Sequence, residues 1–282
     1  MTDPIPNLPV VTGETRLFAI IGDPIAQVRS PDLYNSRIAR AGRNAILVPA
    51  HIPARHFDTA VNGLLRLGNL DGLVITVPFK ERILPFADLV LSRGRQVGAI
   101  NALRRESDGS WTGDIFDGAG LLAALETLSQ TARGRQVLLL GAGGAGSAIA
   151  VALAGAGAAR IGIFDIIAAR AEQLASRVGS FYSGCRTDAV APDLAGYDLL
   201  INATPVGMAP DFAMPRLIGA LHPGITVIDI VPTPARTQLL AQAQAAGCPI
   251  ANGQAMISGQ ADAVLSFFGI VPATGGEKRG SE

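Results

Sequence analysis

The chain predicts two α/β domains, and three observations carry that prediction. Short apolar runs alternate with amphipathic helical stretches along most of its 282 residues, a length sufficient for two cores. This alternation is interrupted once, by two runs flanking an Asp108-Gly109 turn that read as a hairpin. It then resumes with a helix and a fully apolar run that leads directly into a glycine-rich turn.

The elements follow in order. Arg16–Ile21 is a strand that runs into the loop Gly22-Asp23-Pro24. Pro31–Ala41 is a helix with Ser30 as its N-cap and Pro31 at its first position. Ala45–Pro49 is a strand, and Pro53–Leu67 a helix with Phe57, Val61, Leu64 and Leu65 on one face. Leu73–Val77 is a third strand, stopped by Pro78, and Ile100–Arg104 and Ser110–Asp114 form the hairpin. The second series opens with a helix at Gly120–Ala132 and the strand Gln136–Leu140. A small-residue helix follows to about Gly157, then strand Arg160–Asp165 and helix Ala168–Val178. Strands at Asp198–Ile201, Thr226–Ile230 and Pro249–Ala251, a helix near Pro234–Ala246 and a last helix at Ile257–Phe268 complete the pattern. The first fifteen residues read as a loose arm, and 271–282 as a disordered tail.

Composition narrows the function. Lys+Arg and Asp+Glu both number 23, so formal net charge is zero and no basic footprint for nucleic acid is present. Arg93-Gly94-Arg95 and Glu277-Lys278-Arg279 read as solvated surface. Two cysteines, Cys185 and Cys248, and three scattered histidines support neither a disulfide framework nor a metal site. With no leader pattern and no apolar stretch of about 18 residues, the expectation is a cytoplasmic protein with no membrane partner, monomeric or homodimeric.

The turn is Gly141-Ala142-Gly143-Gly144-Ala145-Gly146, a G-x-G-x-x-G at the end of one strand and the start of a helix. In that context the first glycine permits the tight turn and the second lets backbone approach a pyrophosphate. The third lets strand and helix pack closely, with phosphates at the positive helix end. The next strand ends in Asp165, 24 residues after Gly141, suitably spaced for an acid that bonds the adenosine ribose. This is a Rossmann-type dinucleotide-binding domain. After Asp165 come Ile166 and Ile167, where an NADP site would need cations, and Arg170 is a helical turn further on. An aspartate repels a 2′-phosphate, so NAD is favoured over NADP.

Several segments together resemble one family. Gly22-Asp-Pro-Ile-Ala-Gln-Val-Arg-Ser-Pro31 is similar to the opening loop of shikimate and quinate dehydrogenases, typically G-x-P-I-x-H-S-x-S-P. Ile75-Thr-Val-Pro-Phe-Lys80 matches their T-V-P-F-K, Gly98-Ala-Ile-Asn101-Ala their G-A-x-N-T, and Gly113-Asp-Ile-Phe-Asp117-Gly their G-x-N-T-D-G. Asn202-Ala-Thr-Pro-Val-Gly-Met208 resembles the nicotinamide-side N-A-T-x-x-G-M loop, and Asp229-Ile-Val with Gly253-Gln-Ala-Met256 and Gln260 completes the set, from about residue 16 to 269.

The resemblance implies a substrate domain over 1–116, the NAD(P)-binding domain over 117–249, and a C-terminal segment, 250–282, whose helix returns to the substrate domain. It implies a dehydrogenase that converts a ring hydroxyl of shikimate, quinate or a related small cyclic hydroxy acid to the ketone. Lys80 and Asp117 are then the catalytic pair: oxidising a secondary alcohol requires the hydroxyl proton to leave, and a lysine oriented by a carboxylate can take it. Ser30, Thr76, Asn101 and Gln260 are expected to bond the substrate. Asn202, Ala203, Thr204, Met208, Val231, Gly253 and Met256 are expected on the cofactor side with the glycine turn and Asp165. Blander roles stand beside these: Asp117 as a helix cap, Asn101 as a turn residue, Gln260 as an exposed helix position, and Met208 and Met256 as core.

The chain also departs from the family. The first loop serine is Val28, the histidine before it Gln27, the tyrosine after the D-x-V strand Pro232, an asparagine Val74, and the N-T before the catalytic aspartate Ile115-Phe116. Each lost partner costs a buried polar substrate atom roughly 1–3 kcal/mol. Weak use of shikimate is therefore expected, and two alternatives stay open: a less hydroxylated cyclic alcohol as substrate, or an NAD-binding sensor. Arg29, between Val28 and Ser30, is a candidate replacement anion clamp.

Overall fold

The computed structural model describes residues 11–26, 28, 30–210 and 212–272; Gln27, Arg29 and Glu277-Lys278-Arg279 therefore lie outside the described residues, as do most of the arm and tail. The chain divides into two compact units, one of residues up to Phe116 plus those from Ala261 on, the other Asp117–Gln260.

The first unit holds β1 (Arg16–Gly22), α1 (Ser30–Arg40), β2 (Ala45–His51), α2 (Phe57–Leu64), β3 (Leu70–Ile75), β4 (Leu89–Val90), α3 (Ser92–Val97), β5 (Ala102–Arg105) and β6 (Trp111–Asp114). They form one sheet in the order β2-β1-β3-β5-β6-β4. The β2, β1 and β3 strands run parallel, and β5 turns the sheet antiparallel through the hairpin. Both faces are covered, as the near-continuous apolar run of β1 requires: Phe18 and Ile20 enter one cluster, Ala19 and Ile21 the other.

Three elements were not legible as separate signals. The β4 strand has two residues, and α3 carries Gly94 and two arginines in place of an apolar stripe. Gly94 is required there, because a Cβ would lie 2.8 Å from Val90 and 2.9 Å from Ile100. The third is β9, in the second unit. Arg93 is not the solvated charge expected from sequence: it pairs with the buried Asp114 at 2.8 Å and lies 4.9 Å over the Phe116 ring.

The second unit contains α4 (Asp117–Thr127), β7 (Gln136–Leu140), α5 (Gly144–Gly155), β8 (Arg160–Phe164), α6 (Ala168–Phe181), β9 (Arg186–Ala189), β10 (Leu199–Asn202), β11 (Thr226–Asp229), α7 (Gln238–Ala245) and β12 (Ile250–Asn252). Its sheet is wholly parallel, ordered β12-β11-β10-β7-β8-β9. This is the doubly wound Rossmann arrangement, and the order reverses between β7 and β10, where such sheets take their ligands. Because β12 bonds to β11, it belongs to this sheet and not to the C-terminal segment expected from residue 250. The last helix, α8 (Gly253–Phe267), begins in this unit and ends in the first.

Glycine sets the helix spacing here. A Cβ on Gly118 would lie 2.4 Å from Ala152 Cβ, so α4 and α5 approach to backbone distance. A Cβ on Gly120 would lie 2.4 Å from the Met256 carbonyl, bringing α8 as close on another side. Met256, 5% exposed, is thus a packing residue against α4.

Candidate active site

In the first unit, Thr76, Lys80 and Asn101 are tied together by backbone. The Thr76 N–H donates to the Ile21 carbonyl, the Ile75 N–H to the Asn101 carbonyl, and the Ile100 N–H to the Lys80 carbonyl, all at 2.8–3.0 Å. Phe79 anchors the turn that carries Lys80; it is 1% exposed, with its ring 4.3 Å from that of Phe57. Asn101 is 1% exposed, its Oδ1 accepts the Phe116 N–H at 3.0 Å, and its Nδ2 is buried without a protein partner. A buried amide donor left over after the fold is made is costly unless something else accepts from it. Ser30 begins α1, and the Arg29 proposal falls outside the described residues.

The replaced positions divide into two kinds. Val74 and Phe116 are buried in one apolar cluster with Phe267 and Phe268, and Ile115 is 3% exposed, so core packing absorbs them. Val28 and Pro232 are only partly buried and keep surface.

In the second unit, Asp117 is the first residue of α4, 4% exposed, where a carboxylate complements the helix dipole. The Gln260 amide donates to its Oδ1 at 2.8 Å. Gln260, expected to bond substrate, is therefore also a partner of the acid.

The glycine turn fits a dinucleotide. Gly141 has φ +99°, and a Cβ there would lie 2.8 Å from the Ala203 carbonyl. A Cβ on Gly146 would lie 2.0 Å from the Gly141 carbonyl, whereas one on Gly143 meets nothing within 4 Å. The first and third glycines are thus required by the fold. The second leaves open space at the N-terminus of α5, whose cap has no side-chain partner. Asp165 accepts the Ala142 N–H at 2.8 Å and the Ile167 N–H at 2.9 Å, so it braces the turn; each carboxylate oxygen keeps a lone pair for another donor. Ile166 beside it is 91% exposed. Arg170 is exposed on α6.

Beside the turn lies the loop after β10. Ala203, Thr204 and Met208 follow Asn202, whose carboxamide holds the loop: its Oδ1 accepts from the Thr204 N–H and hydroxyl at 3.1 and 2.7 Å, and its Nδ2 donates to the Val206 carbonyl at 3.1 Å. Gly253 packs on Val231, where a Cβ would lie 2.6 Å from its carbonyl. Sequence reasoning places Asp229 in a motif but gives it no role; it lies beneath this loop, fully buried, and burial pushes its carboxyl above the usual range while hydrogen bonds from Thr237, Val231 and Asn202 pull it down. Among the described residues no cluster of ligating side chains suits a metal, and no helix is long and apolar enough to cross a membrane.

Known proteins share this architecture. Residues 20–103 match the shikimate dehydrogenase substrate binding domain, and 123–218 the shikimate / quinate 5-dehydrogenase model. A shikimate dehydrogenase (NADP(+)) of Citrifermentans bemidjiense is 36% identical over 274 residues, 94% of each chain. A shikimate 5-dehydrogenase of Listeria monocytogenes, solved with shikimate and NAD, superposes with a TM-score of 0.85 at 29% identity, over 92% of this chain and 93% of that one. A ligand-free 5-ketofructose reductase of a Gluconobacter species gives 0.82 at 30%, over 90% and 92%. Identity at this level over nearly the whole length, added to the glycine turn and the Lys80, Asn101 and Asp117 segments, shows that the chain belongs to the shikimate dehydrogenase family.

Proposed function

We propose that this protein is an NAD(P)-dependent dehydrogenase that oxidises a ring hydroxyl of shikimate, quinate or a related cyclic hydroxy acid to the ketone, reversibly and with NAD preferred. The observation that carries the substrate side is the Asn101 Nδ2 group, buried without a partner on the same backbone-bonded patch as Thr76 and Lys80. A ligand oxygen is what that donor needs. Lys80 takes the hydroxyl proton, and Asp117, held by Gln260, orients the lysine and the hydroxyl. Asn101, Thr76, Ser30 and Gln260 bond the ring substituents.

Gly141–Gly146, Asp165, the Asn202–Met208 loop and Val231 hold the dinucleotide. When bound, its nicotinamide supplies the two-electron acceptor that no side chain can. The preference for NAD rests on Asp165 followed by the exposed Ile166 and Ile167, where a 2′-phosphate would meet an anion and no adjacent cation. Curated relatives such as the Citrifermentans enzyme are named for NADP(+), whereas the Listeria structure holds NAD; for this chain the residues after β8 support NAD. A second reading, a substrate with fewer polar groups, is favoured by the surface that Val28 and Pro232 present in place of hydroxyl-bearing side chains. Kinetics with a panel of cyclic hydroxy acids and both dinucleotides tests the proposal; reduced nicotinamide forming with none of them refutes it.

A further inference from the structure

Asp229 stands at the end of β11, directly across from Asn202 at the end of β10, and is 0% exposed. Three donors from three segments converge on it. The Asn202 Nδ2 group donates to its Oδ1 at 3.0 Å, the Val231 N–H to the same oxygen at 3.1 Å, and the Thr237 hydroxyl to Oδ2 at 2.6 Å. Thr237 is in turn the N-cap of α7, accepting the Leu240 N–H.

A carboxamide can sit in either of two flips, and a neighbour that only accepts selects one of them. Facing Asp229 and the Val206 carbonyl, the Asn202 NH₂ group must point toward these acceptors, the carboxylate being the one fixed in the strand end, which turns Oδ1 toward the Thr204 N–H and hydroxyl. The Thr204 hydroxyl then accepts the Val206 N–H, and the Ala203 N–H is held by the Leu140 carbonyl. Flipped, Asn202 would set its NH₂ against the Thr204 N–H, and residues 203–206 would lose their anchor. That anchor reaches the glycine turn: beside Gly141 there is room for the Ala203 carbonyl and the Thr204 methyl, and not for a Cβ as well.

We propose that Asp229 is a positioning residue that, by selecting the Asn202 flip, sets the 203–206 loop against the Gly141 turn and so fixes dinucleotide affinity. The proposal rests on the dinucleotide reading above. It concerns a residue with no exposed surface, so its test reads binding and loop protection, not turnover alone.

The full chain is compared with Asp229→Asn and Asp229→Ala by fluorescence titration with NADH and NADPH and by amide hydrogen exchange at Thr204 and Val206. Asparagine keeps an oxygen for Asn202 and Val231 and can donate to the Thr237 hydroxyl, so its affinity stays within about threefold of wild type. Alanine removes the acceptor: affinity falls by about tenfold or more, a factor equivalent to one lost buried hydrogen bond. The Thr204 and Val206 amides then exchange faster while circular dichroism is unchanged. Wild-type affinity in a folded Asp229→Ala overturns the proposal, as does an equal loss in both variants, which would indicate a role for charge. If Asp229→Ala does not fold, the ligand-free wild type decides: Thr204 and Val206 amides protected like that of Ile201 support the role, and free exchange refutes it. Wild type that binds neither dinucleotide defeats the dinucleotide reading instead, and the exchange rates still judge the loop.

Discussion

Lys80 and Asp117 carry the chemistry proposed for single residues. Lys80→Ala should lower kcat by about 10²-fold or more, the usual scale for a lost general acid/base, with dinucleotide affinity little changed. Combining it with Asp117→Asn should cost much less than the product of the single effects, because groups that act as a unit are non-additive. Multiplicative losses in steady-state kinetics would count against the pairing. At Asp165 the expectation is a higher kcat/KM with NAD than with NADP, a gap that Asp165→Asn narrows. Equal use of both by wild type would mean that Arg170 or another cation meets the 2′-phosphate. Lys80 was legible because Thr76-Val-Pro-Phe-Lys80 resembles a family motif. The bonding role of Asp229 was not legible, because beyond its place in the Asp229-Ile-Val motif it reads as the polar end of an apolar strand. Its donors lie at 202, 231 and 237, and only strand pairing brings the first of them across from it.

At the scale of elements, the glycines separate folding from binding. Gly143→Ala places a methyl in open space at an unstrained φ of −77°, so stability should change by no more than about 0.5 kcal/mol. Dinucleotide affinity should nonetheless fall about tenfold or more, because the methyl occupies the approach to the pyrophosphate. Gly118→Ala should do the reverse: its methyl collides with α5 at 2.4 Å, and overpacking costs about 1–3 kcal/mol. Thermal unfolding and fluorescence titration of both variants check the contrast; equal effects on stability would contradict it. Strands such as β7 were legible because they are buried on both faces and apolar throughout. The β9 strand, Arg-Thr-Asp-Ala, was not: it lies at the sheet edge with no fully buried residue, and pairing with β8, not its own pattern, makes it a strand.

For the whole molecule, the alternation and the glycine turn made two α/β sheets legible, and the division between 116 and 117 falls where the resemblance implied it; the return to the first unit, expected from 250, comes only at Ala261. Pro249–Ala251 reads equally as a strand of either sheet, and α8 carries no break in its pattern at the change of unit. The altered substrate positions show the same limit. Val28, Val74, Pro232, Ile115 and Phe116 all read as lost hydrogen bonds, but Val74, Ile115 and Phe116 are buried in the core, leaving Val28 and Pro232, among the described residues, as the exchanges able to act on a ligand. Val28→Ser with Pro232→Tyr should therefore improve kcat/KM for shikimate by about tenfold for each bond regained. Steady-state oxidation of shikimate and quinate with NAD, followed by reduced-nicotinamide absorbance in wild type and Lys80→Ala, tests the dehydrogenase reading at its root. NAD reduction by wild type should collapse in the variant, with a shikimate KM above the common micromolar-to-millimolar range. Undiminished turnover in Lys80→Ala, or saturation of wild type at low micromolar shikimate, would contradict that outcome.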